Sequence, residues 1–145
     1  MKVIVTMSVA AALLAVSANA QSPTWPEPIA NRLQDLTHRF IHCSAVFSVL
    51  AFVIERNDDP TQSDSAQKYI RYSDLMRLSA AKLAAEVNQE VEVINRQWEA
   101  SAKRLLVEID NQNPNFSIVL SKYRDPCADL HKDVTRYTRA AIFGQ

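Results

Sequence analysis

His38 and His42 stand four residues apart. On a helix that spacing places both imidazoles on one face, close enough to chelate a metal ion, so the pair is the first candidate site. The chain has one further histidine, His131, and no glutamate is followed three residues later by a histidine, the pattern a carboxylate di-metal bundle needs. The zinc-protease helix H-E-x-x-H, the haem-attachment pattern C-x-x-C-H and the calcium-loop pattern are all missing. Glu86, Glu90 and the pair Asp58-Asp59 are acidic clusters, but solvated charge on a helix face or in a loop accounts for them without paired acid–base catalysis. No catalytic group and no cofactor is expected.

Cys43 and Cys127 are the two cysteines of the chain. Their compartment decides how they are read. Lys2, the apolar run Val3 to Val16 and the small residues of Ser17-Ala18-Asn19-Ala20 make residues 1–20 a secretory signal segment. The run is shorter than the roughly 20 apolar residues a membrane span needs and is interrupted by Thr6 and Ser8. The expected product is a periplasmic or secreted domain, residues 21–145, that does not span a membrane. Oxidising surroundings favour a Cys43–Cys127 disulfide, and the spacing carries no C-x-x-C redox signature.

Removing Lys2 leaves the acids one ahead of the bases, which number 16 each in the whole chain. No broad positive field then exists to attract nucleic acid. Gly144 is the single glycine, against about ten at ordinary usage. Hairpins, phosphate-cradling loops and nucleophile elbows need glycine at positive φ or at close approach, so these classes are excluded together and an all-α chain is expected.

Four helical segments must then position the candidate residues. After Trp25-Pro26-Glu27-Pro28, with Pro28 suited to a first turn, the apolar series Ile29, Leu33, Leu36, Phe40, Cys43, Phe47, Leu50 and Ile54 steps by fours and threes. It ends at Arg56-Asn57-Asp58-Asp59-Pro60. Asp64 and Gln67 resemble a capping box. A long stretch follows with stripes Tyr69, Tyr72, Met76, Ala80, Leu83, Val87 and then Val91, Ile94, Trp98, Ala102, Leu105, Ile109, out of phase across Asn88-Gln89-Glu90. Asn113-Pro114 restarts the chain, and the last stripe runs Phe116, Leu120, Tyr123, Cys127, Leu130, Val134, Tyr137, Ala141, with a kink or short break expected at Pro126.

The cysteines choose between two arrangements of the middle stretch. As one rod, residues 62–110 would extend about 73 Å and hold the sulfurs tens of ångströms apart, as in an elongated or helix-exchanged dimer. A turn near Asn88 instead gives a compact up-down four-helix bundle, roughly 42 Å tall, in which both cysteines sit near mid-height. The expectation is therefore an all-α four-helix bundle, monomer or homodimer, its first and last helices linked by Cys43–Cys127. Trp98, Tyr69, Tyr72, Tyr123 and Tyr137 lie on the stripes, as core residues or as the lining of a cavity between helices. With no catalytic constellation, the expected function is binding to a partner protein in the cell envelope or outside the cell, as an inhibitor, adaptor or chaperone-like factor. The alternative is a bundle that carries a small apolar ligand or a metal ion.

Overall fold

The computed structural model describes residues 24–56, 62–111 and 116–144. The expected signal segment, the break at 57–60 and the cap at Asn113-Pro114 lie outside the described residues. Among the described residues there are five helices and no strand: α1 (Glu27–Arg56), α2 (Ser63–Glu86), α3 (Val91–Asn111), α4 (Phe116–Lys132) and α5 (Val134–Phe143). The chain is all-α, but the helix count is five rather than four.

The extra helix comes from Asp133, not from Pro126. Pro126 lies inside α4, which continues through it at the loss of the hydrogen bond its missing N–H would give the Lys122 carbonyl. Asp133 leaves helical geometry (φ −142°, ψ 60°) and its carboxylate accepts the Arg136 backbone N–H at 2.9 Å. A short acidic side chain offers the backbone this alternative to continuing the helix. The disulfide therefore joins the first helix to the fourth, and α5 is the last.

The turn between α2 and α3 solves the missing-glycine problem with asparagine. Asn88 has φ 55°, a left-handed conformation that asparagine tolerates better than most residues. Its N–H donates to the Ala85 carbonyl at 3.3 Å and the Gln89 N–H to the Ala84 carbonyl at 2.8 Å, the paired bonds of a Schellman terminus. The stripe's change of phase at 88–90 is thus a chain reversal. At the start of α2 the expected capping box does not form: the helix is preceded by Gln62, whose side chain caps nothing, and Asp64 lies in the first turn, where its charge suits the helix dipole.

Helix α1 is the axis of the domain and packs against all four others, most extensively against α2. Leu33, Leu36, Phe40, Cys43, Phe47 and Leu50 are buried as their spacing predicts, but so are Ile41, Ala45, Val46, Val49 and Ala51. From Phe40 to Ile54 the helix carries no Asp, Glu, Lys or Arg, and His42 is its one ionisable imidazole; a helix apolar all round is one surrounded on every side. By length and composition α1 could also cross a membrane, with a mean hydropathy of 1.5 in its most apolar window. Here 61% of that window is buried, as in the central helix of a packed domain.

Helix directions follow from named contacts. Phe47 meets Tyr69 and Tyr72 while Trp25 reaches Glu86, so α2 runs antiparallel to α1. His38 meets Gln97, and Val49 and Leu50 meet Leu105 and Ile109, so α3 runs parallel to it. Cys43 meets Cys127 and Arg32 meets Ala141, so α4 and α5 return along it.

Small residues set the α1–α2 distance. Ser44 and Ser73 are buried where the two helices meet, with Ser44 Oγ within 2.9 Å of the Ser73 carbonyl and Ser73 Oγ within 2.8 Å of the Ser44 carbonyl. Trp98 Nε1–H from α3 donates to Ser44 Oγ at 3.1 Å. Three helices are thereby locked at one height with every buried donor used.

Candidate functional site

The disulfide lies at the middle of the α1–α4 seam, with Cα atoms 5.2 Å apart and both cysteines at most 5% exposed. It is consistent with an oxidising compartment. The histidine beside each cysteine in sequence or helical turn is drawn to a different side of it. His42 is half-buried with its ring 5.5 Å from Tyr123; burial holds its pKa below the usual value, and Arg104 adds to the effect. His131 lies against Tyr72, ring centroids 3.8 Å apart, beside Phe47; burial, then Lys68, lowers its pKa too. Both are neutral imidazoles at pH 7.

His38 and His42 come to one face, as their spacing predicts. His38 is exposed, its Nε2 3.2 Å from Gln97 Nε2. No cluster of three or more His, Cys, Asp or Glu side chains suited to a metal forms among the described residues. The groups around the pair are instead cationic. A groove of about 370 Å³ on the α1–α4 seam is lined by His38, Arg39, His42, Lys122 and Tyr123 above a floor of Pro126, Leu130 and the disulfide. A second, of about 380 Å³ on the α1–α3 seam, shares His38 and adds Ile41, Gln97, Ser101 and Arg104. Neither lining contains a carboxylate. Glu108 lies nearby, tied to Tyr123 Oη at 2.6 Å and Lys122 Nζ at 2.9 Å, and these two bonds lower its pKa.

The apolar crevice between Val46, Val49, Leu50, Leu105, Ile109 and Leu120 has a volume of about 10 Å³, scarcely room for one water. Of the five aromatic residues considered as a cavity lining, Tyr69 and Tyr72 stack around Phe47, Trp98 bonds to Ser44, Tyr123 holds Glu108 and Tyr137 holds Asp129.

A second feature lies on the opposite, outward side of α2. Leu75 is 43% and Leu78 54% exposed. Arg71 and Lys82 fall in line with them, the four residues within about 60° of one another around the helix and about 16 Å along it. Neither cation has an ion pair among the described residues. The signal for this stripe was present in the sequence as two leucines off the buried series; the cationic grooves had none, since they draw on three helices.

No family model, no curated protein and no solved structure matches this chain.

Proposed function

We propose that this chain is an exported helical protein that binds another protein through the outer face of α2, docking an acidic amphipathic helix along Arg71, Leu75, Leu78 and Lys82. Export is supported by the apolar segment at residues 1–20 and by a disulfide that needs oxidising surroundings. The observation that carries the binding role is the leucine pair left in water between two cations that have no ion pair among the described residues. Exposed leucines one turn apart offer the anchors used in helix recognition, and the flanking charges select carboxylates on the partner.

The same charges argue against self-association at this face. An antiparallel two-fold contact would set Leu75 against Leu78 of the second copy and Arg71 against its Lys82; a parallel one would set each cation against itself. Like charges meet in either case. Asp74 borders the stripe about 60° to one side and leaves its centre basic. A single helix face is small for a permanent complex, so the interaction is transient.

Leu75→Glu/Leu78→Glu and Arg71→Glu/Lys82→Glu test this, since all four residues are exposed and the fold should be unaffected. Used as bait in cross-linking from envelope extracts, wild type should capture a protein that both variants lose. Identical captured sets from all three baits would refute the reading.

A further inference from the structure

We propose that the groove over the disulfide binds a small single-chain amphiphile with one carboxylate head, the head held between Arg39 and Lys122 and the hydrocarbon laid across Pro126, Leu130 and the sulfur bridge. The site lies on the α1–α4 seam, and nothing in it depends on how the outer face of α2 is used.

Charge and polarity are divided in a way that selects this ligand. The chain as a whole is balanced, with 16 basic and 16 acidic residues, yet the groove presents two cations, Arg39 and Lys122, beside the neutral ring of His42, with no carboxylate in its lining; Lys122 shares its charge with Glu108 at 2.9 Å, which leaves Arg39 as the main anchor. The neighbouring groove, joined at His38, adds Arg104. The nearest acids are already engaged: Glu108 by Lys122 and Tyr123, Asp125 by Arg124, and Asp129 by Tyr137. Arg39 sits over the Tyr137 ring at 5.2 Å and has no ion pair among the described residues, which leaves its donors available to an anion. A metal cation at the two histidines would meet Arg39, Lys122 and Arg104 with only two ligands to offset them. The sign of the site is that of an anion receptor.

Beside the cations the accessible apolar surface is that of the exposed Pro126, backed by the buried Leu130 and disulfide. An inorganic anion gains nothing from that floor, whereas a hydrocarbon chain does. The volume, about 370 Å³, lies at the small end of small-molecule sites. It suits one short extended chain.

The test is a titration of the oxidised mature chain with octanoate at pH 7 and low salt, followed by backbone amide NMR. The amides of residues 39–43, 122–125 and 127–130 should shift saturably, and affinity should rise with each methylene from hexanoate upward, by at most about fourfold per methylene. Arg39→Gln/Lys122→Gln replaces two exposed side chains and should weaken octanoate about tenfold or more, while the rest of the spectrum stays unchanged. The proposal is overturned if octanol binds as well as octanoate, if inorganic phosphate matches octanoate, if the shifts scatter over the surface, or if the double variant binds like wild type.

Discussion

Cutting the bridge between Cys43 and Cys127 should cost this domain a large part of its stability. The two residues are 84 apart in sequence. In the chain-entropy account, closing a loop of that size removes enough freedom from the unfolded chain to stabilise the native state by about 4.5 kcal/mol, against a total of about 5–15 kcal/mol for a domain of ordinary stability. Nothing in the native packing offsets this, because both cysteines are buried and α4 makes a much smaller contact with α1 than α2 does. Cys43→Ala/Cys127→Ala adds a cavity cost of about 1 kcal/mol, whereas reduction with a thiol leaves the side chains in place and isolates the link. Urea unfolding at pH 7, followed by far-UV circular dichroism, should show both forms losing about 4–6 kcal/mol. In thermal melts the midpoint should fall by roughly 15–20 °C. A loss below about 1 kcal/mol in both forms would mean that α1 and α4 are held together by something other than the bridge.

Two further predictions concern the same layer. Ser44→Ala should cost about 2–3 kcal/mol, because it strands Trp98 Nε1–H and breaks a reciprocal Ser44–Ser73 bond; Ser73→Ala, which leaves no donor unpaired, should cost about 1 kcal/mol. Tryptophan emission should shift in the first variant, and equal losses in the two would refute the assignment. Stability should also fall on mild acidification. The unfolded chain binds protons at His42 and His131 near the ordinary value of 6.5, while the folded chain, where burial, Arg104 and Lys68 disfavour the charged ring, binds them at lower pH. Between those limits the unfolded state holds more protons, so unfolding free energy drops as pH falls below about 6.5 and levels out beneath the lowered native values. Urea titrations from pH 8 to 5 should show that decline, and His42→Gln/His131→Gln should flatten it; a wild type with no slope over this range would refute it.

What the amino acids determined by themselves is whatever depends on local periodicity and on single-residue backbone preferences. The steps of three and four residues marked α1, and Leu33, Leu36, Phe40, Cys43, Phe47 and Leu50 are all buried on it. One glycine in the whole chain excluded strand-and-turn architectures, and the shift of phase at 88–90 marked the reversal that Asn88 makes. Given a turn near Asn88, the fixed helical rise put the two cysteines at similar heights, and the pairing expected of an oxidising compartment chose that arrangement over one long rod. Three-dimensional packing decided the rest. Proline was the obvious place to interrupt the final helix, yet a single missing hydrogen bond at Pro126 is tolerated, while Asp133 ends α4 because its carboxylate can satisfy the next helix's first turn. The burial of α1 on more than one face between Phe40 and Ala51 required four neighbours, which no stripe on one helix reveals. The Ser44–Ser73–Trp98 contact and the cationic groove gather side chains from two or three helices, and their chemistry exists only once those helices are brought together.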